Sequence, residues 1–267
     1  MEHARAARSD PARAADGSAL RAALGAWLVG VDAAVCAVVG PDFPTGLIVD
    51  ITRAGIDLSR IRPLNGQAAM PAADADPSPD QLASVSPRWS VHVCGMSPVR
   101  QHEILRAVHQ RAAIITLDVA SRPGEAPAVD DLAVDADASL LGARDAAQLR
   151  PPKPPLEVLR GLVRRGVGAA VITLGAGGSI GIRDGSITSM PAYPVTPSGI
   201  MGGGDAYAGA FSAMFADERN LPRAMAWASA AASVVVESFA TLDPLTEFGR
   251  SKVEHRARIL EAEVLSG

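Results

Sequence analysis

The sequence predicts an α/β protein, a three-layer α/β/α sandwich around a mostly parallel central sheet, on three observations. Short, nearly continuous apolar runs alternate with segments whose apolar residues recur every three or four positions, as expected of strands buried on both faces by helices. A length of 267 residues with 48% hydrophobic content provides for one large core. Glycine (25) and proline (20) punctuate the joints between these runs, where turns need them.

Taken in order, residues 1–16, MEHARAARSDPARAAD, mix charges of both signs and hold no apolar run. They are expected to form a flexible tail without secretory signal or anchor, with residues 17–267 as the domain. Ser18–Val29 has helical spacing, Ala33–Val39 is a strand candidate, and Thr45–Ala54 is helical again. Asn65–Pro87 is rich in Pro, Asp, Ala and Ser without a period, so it is expected to be a loop. Val91–Cys94, Ala113–Leu117, Ala138–Leu141 and Ala169–Leu174 complete the set of strands. Helical patterns at Val99–Gln110 and Leu156–Arg165 lie between them, and all five strands are expected in one sheet. Ser179–Arg183 and Ser186–Met190, joined by Asp184-Gly185, predict a hairpin, because Asp-Gly supplies the positive φ angles of a two-residue turn. Asp205–Ala216, Pro222–Ser238 and Thr246–Leu265 are the closing helices.

Composition narrows the chemistry. A formal charge of −4 argues against binding a phosphate backbone, so no nucleic acid is expected. The longest apolar stretch, Leu24–Gly40, is interrupted by Asp32 and too short to span a bilayer, so no membrane is expected either. Cys36 and Cys94 are far apart and each lies in an apolar run, which predicts buried thiols and a cytoplasmic location. His92, Cys94, His102 and His109 lack the paired spacing of a zinc site. Neither a Gly-x-Ser-x-Gly elbow nor a Walker lysine motif occurs. Gly95-Met96 and Asp118 each follow a predicted strand, where ligands of parallel sheets bind; an ordinary turn explains them equally well.

The most informative segment is Pro197–Phe211. Gly202, Gly203 and Gly204 precede a helix, so unblocked backbone N–H groups at its positive end form a site for an anion such as phosphate. Asp205 on the first turn is either a helix cap or, beside such an anion, a base that takes a proton from an attacking hydroxyl.

Gly202-Gly203-Gly204-Asp205-Ala-Tyr-Ala-Gly-Ala-Phe211 resembles the Gly-Ala-Gly-Asp-Ala-Phe signature of the PfkB/ribokinase-like carbohydrate kinases. Val171-Ile-Thr-Leu-Gly-Ala-Gly-Gly178 is similar to the family's Thr-Leu-Gly strand end, and Ala224–Phe239 to the helix that borders the adenine pocket. Gly40–Gly46 and Ala54–Ser59 resemble two further family elements, so the similarity spans roughly residues 16–265 in consistent order. Departures are specific. The family's first strand has no counterpart, Arg21 stands where Asn is usual, Gly142-Ala-Arg-Asp145 replaces Asn-x-x-Glu, and Gly199 replaces an Asp.

The resemblance implies a ribokinase-like fold with a lid that is small or absent, and ATP-dependent phosphorylation of a hydroxyl on a sugar, cyclitol or nucleoside. It implies Asp205 as the base and the amides of Gly202, Gly203 and Gly204 as the anion hole. Thr173, Gly175, Ser229 and Ser233 would meet the nucleotide; Asp16, Gly17, Arg21 and Met96 would face the substrate. Asp145 would help to place Mg2+. The alternatives are a degenerate kinase that binds a ligand or partner without transfer, and other acid/base chemistry at Asp205 on the same fold. Loss of the first strand leaves a sheet edge that the N-terminal tail or a second chain, as a homodimer, is expected to cover.

Overall fold

The computed structural model describes residues 17–40, 43, 45–63, 77, 79–96, 98–119, 135–149, 151–198, 202–238 and 243–266. Strands β3 (Ser90–Val93), β4 (Ile114–Asp118), β5 (Ala138–Gly142), β6 (Ala169–Thr173), β7 (Ser179–Arg183) and β8 (Ser186–Met190) form one sheet in that spatial order. The first four are parallel, with His92 opposite Thr116 and Leu140 opposite Val171. The last two are antiparallel and form the expected hairpin, with Asp184 and Gly185 at φ 50° and 78°.

Alternation along the central strands divides the interior. Ala169 and Val171 face a cluster built with α1 (Ser18–Leu28), α7 (Gly203–Glu218) and α8 (Leu221–Val236). Ala170 and Ile172 face a second cluster built with α4 (Pro98–Val108) and α6 (Pro155–Arg164). Both faces of the sheet are therefore covered, and the predicted three-layer, mostly parallel arrangement is the one observed.

The expectation of a single sheet for all five predicted strands is corrected. β1 (Ala34–Val39) pairs in parallel with β2 (Asp57–Pro63), and the two form a separate two-stranded sheet. β1 is apolar, but most of it is only half-buried, so its near-continuous run signals partial cover and not two-sided burial. β2 escapes the apolar pattern of the sequence because Asp57, Arg60 and Arg62 mask it; Leu58 and Ile61 pack against the first cluster. α2 (Thr45–Arg53) links the pair. Within the predicted 65–87 loop a short helix, α3, occupies Pro79–Ala83. Much of that loop, on which the expectation about the lid rests, lies outside the described residues, as does the tail 1–16. β3 has no partner on its outer edge among the described residues.

Close helix contacts fix this side of the domain. α1 and α7 approach until a Cβ on Gly25 would stand 2.1 Å from the Ala206 carbonyl oxygen, and one on Gly209 only 1.8 Å from that of Ala22. Glycine is required at both positions by this approach. α9 (Glu247–Ser266) is tied to α8 by Glu237, which accepts from Lys252 Nζ at 2.5 Å and Arg256 Nη2 at 2.8 Å. No helix among the described residues is long and apolar enough to cross a membrane.

Candidate active site

The opening of α7 is set by Gly202, whose φ of 89° lies in the left-handed region that a side chain disfavours. Gly203 and Gly204 are the first two helical residues, so their N–H groups belong to the turn without intrahelical acceptors. Asp205 follows on the same turn. Gly202, not Asp205, occupies the N-cap position, so the capping reading of Asp205 does not describe this helix. Its carboxylate instead accepts from Arg21 of α1: Nε lies 2.7 Å from Oδ2, with the two side chains 13% and 16% exposed. The stem of Arg21 crosses the turn so closely that a Cβ on Gly202 would be 2.4 Å from its Cδ.

Three more groups share this neighbourhood, at the carboxyl ends of β3, β4 and β5. Asp118 ends β4, and Asp145 sits on the first turn of α5 (Ala143–Gln148), directly after β5. Burial, then the negative charges of Asp205 and Asp145, push the Asp118 carboxyl up to about 7. Burial also raises the Cys94 thiol, reinforced by Asp118 and Asp205 and opposed by Arg21. The sequence alone leaves two explanations for Asp118 open; in the fold it belongs to the carboxylate cluster around Asp205.

The raised Asp118 carboxyl has a measurable consequence for stability. The folded state holds the Asp118 proton to about pH 7, whereas an unfolded aspartate releases it near 4, so stability is full at low pH and falls as pH rises through that window. Asp118→Asn should therefore be more stable than the parent by about 1–3 kcal/mol at pH 8 and no different at pH 3.5. Thermal melts at both pH values check this; an equal effect at both would mean that ionisation is not the cause.

The remaining predicted residues divide. Gly17 precedes α1 in extended conformation, and Ser18 lies against Gly95, bringing the start of α1 to the end of β3. Thr173 ends β6 opposite Gly142, and Gly175 opens an exposed 3₁₀ turn (Gly175–Gly177), so both lie at the same end of the sheet as Asp145. Ser229 and Ser233, by contrast, are buried. The Ser229 hydroxyl donates to the Pro191 carbonyl, and that of Ser233 donates to Ala230 while accepting from Arg256 at 2.9 Å. Their hydroxyls join elements of the fold. Met96 packs with the cluster on the opposite face of the sheet, away from α7. Asp16 and Gly199 lie outside the described residues. His92 is a core histidine: Nδ1 meets Thr116 Oγ1 at 2.9 Å, Thr116 donates to Ser212, and burial pushes the ring down to about 4.

Comparison with known families decides the affiliation. The sequence pattern described as pfkB family carbohydrate kinase matches residues 64–247. The chain belongs to the pfkB family. Solved pfkB-type structures agree in fold. Ribokinase from Arabidopsis thaliana, complexed with ribose and ATP, superposes with a TM-score of 0.72 at 18% identity, over 91% of this chain and 87% of that one. Aminoimidazole riboside kinase from Salmonella enterica, complexed with aminoimidazole riboside and an ATP analogue, gives 0.70 at 17% identity over 91% of each. Fructokinase from Vibrio cholerae, bound to fructose, ADP and calcium, gives 0.71 at 15% identity over 88% and 90%. No curated protein sequence matches the chain. The pfkB match includes Asp205 and its glycines as well as two of the departures, at Gly142–Asp145 and Gly199, and begins after Arg21, β1 and β2.

Proposed function

We propose that this pfkB-family chain transfers the terminal phosphoryl group of ATP to a hydroxyl of a small polyol, a sugar, cyclitol or nucleoside. The observation that carries the reading is Asp205 on the first turn of α7, directly behind a left-handed glycine and two glycine amides at the carboxyl end of the sheet. In this arrangement the acceptor hydroxyl gives its proton to the Asp205 carboxylate while its oxygen bonds to the γ-phosphorus. The bond from that phosphorus to the β–γ bridging oxygen breaks, and ADP leaves with the electron pair. The amides of Gly202 to Gly204 face the charge that spreads over the phosphoryl oxygens, and Thr173 and Gly175 meet the nucleotide phosphates.

Among the described residues no group of three His, Cys, Asp or Glu side chains could hold a metal ion by itself. A magnesium ion keeps most of its water and binds through one or two carboxylates plus phosphate oxygens, and Asp145 fits that lesser demand. The ion would neutralise phosphate charge there.

A second reading, a ligand-binding protein without transfer, is favoured by one observation: the Asp205 carboxylate is already engaged by Arg21. A coupled ADP-release assay across sugars, cyclitols and nucleosides separates the two. Acceptor-dependent ADP formation supports the kinase; its absence on every acceptor, together with retained ATP binding in a titration, supports the second reading.

A further inference from the structure

The glycine cradle ahead of α7 has an open side and a closed one. Gly204 is exposed, with nothing within 4 Å of its Cβ position, whereas Gly203 is buried against the end of α8. A Cβ on Gly203 would stand 2.6 Å from Val236 Cγ2, with the Ala232 carbonyl oxygen farther off at 4.0 Å. Val236 is the last residue of α8, in the turn whose carbonyls lack intrahelical donors. Its carbonyl accepts instead from the Ser198 N–H at 3.0 Å. One residue therefore meets the chain before the cradle through its backbone and within the cradle through its side chain.

That support is itself fixed. Glu237, the next residue, accepts from both Lys252 and Arg256 of α9. The guanidinium carbon of Arg256 also lies 4.7 Å from the centre of the Tyr193 ring, in the segment that leads to Ser198. We propose that Val236 is a positioning residue for phosphoryl binding: its carbonyl and its Cγ2 together set where the amides of Gly202 to Gly204 point, so the hold of the cradle on the γ-phosphoryl group is determined from α8. The inference rests on the kinase reading above. In this role Val236 needs no contact with nucleotide or acceptor. It acts through the direction of N–H donors, whose bonds weaken steeply when misaligned, and a support displaced by about 1 Å can cost about 10²-fold.

A size exchange tests this. Gly203→Ala puts a methyl against Val236 Cγ2 and should tilt the turn, Val236→Ala removes that Cγ2 but keeps the carbonyl that takes the Ser198 N–H, and the double variant has room for the new methyl. The readout is titration calorimetry, in the presence of magnesium, of ADP alone and of ADP with beryllium fluoride, which occupies the place of the γ-phosphoryl group. The ratio of the two affinities is compared, since a general loss of stability does not move it. The parent protein is expected to bind ADP with beryllium fluoride about 10–100-fold more tightly than ADP. Gly203→Ala should lose most of that advantage. The same substitution made in Val236→Ala should change the advantage by less than about 2-fold, because the clash is gone. Val236→Ala alone should lower it by about 3–10-fold, and remains readable should Gly203→Ala not fold. A Val236→Ala protein that melts earlier with its affinity ratio unchanged would overturn the positioning role, as would an equal loss from Gly203→Ala in both backgrounds. A parent that binds ADP without a beryllium fluoride advantage would overturn it together with the phosphoryl site of the cradle. Failure of the parent to bind ADP would overturn the kinase reading as well.

Discussion

Asp205→Asn is expected to lower acceptor-dependent phosphoryl transfer by about 10²–10⁴, the contribution of a positioned base, while leaving fold and nucleotide affinity in place. The amide is nearly isosteric, and the cradle of Gly202 to Gly204 is made of backbone groups that the substitution does not touch. Its carbonyl oxygen can still accept from Arg21 Nε, so the tie between α1 and α7 need not break. An independent signature accompanies the loss of turnover. The Asp205 charge is one reason that Asp118 titrates near 7, so in the Asn variant the Asp118 titration should move to lower pH. Carboxyl NMR on both proteins reads this without any substrate. Turnover that survives the substitution would remove Asp205 as the base.

The second large effect is on stability. Gly209→Ala should cost about 2–4 kcal/mol, because the added methyl would stand 1.8 Å from the Ala22 carbonyl oxygen and the two helices must separate to admit it. Since Ala22 adjoins Arg21, the same separation should weaken the Arg21–Asp205 bond. Gly204→Ala on the same helix is the control. Nothing lies within 4 Å of its Cβ position, so this substitution should be neutral or add up to about 1 kcal/mol through helix propensity. Urea unfolding of the three proteins decides the matter, and similar stabilities for the two variants would contradict the close approach of α1 and α7.

The parts of the fold legible in the sequence are those whose signal is local. β4, β5 and β6 are buried on both faces, and their nearly continuous apolar runs say so directly. Gly202 to Asp205 announce themselves because a glycine run ahead of a helix leaves few other uses for it. β2 is illegible because its outward residues are charged and only two apolar side chains reach the core. Ser229 and Ser233 are tied to the nucleotide by resemblance alone, and the small residues around them in α8 carry no local sign that both hydroxyls are consumed in packing. The raised proton affinity of Asp118 comes first from its burial and then from Asp205 and Asp145, which α7 and α5 bring to the end of β4, and no window of sequence contains that combination. Arg21 stands out in the sequence as an oddity of position, yet its partner lies 184 residues further along.

That separation bears on how the protein is made. A chain leaving the ribosome carries Arg21 in its first tenth and must synthesise most of the remaining domain before Asp205 exists to receive it. Leu24 and Leu28 on the same helix end in a cluster with Ala206, Phe211 and Val234, so until the last third emerges this apolar surface lacks a large part of its native cover. Contacts of such long range close late and slowly. The Arg21–Asp205 pair is thus among the last things the nascent chain completes, and a product cut short before α7 would present the arginine without its acid.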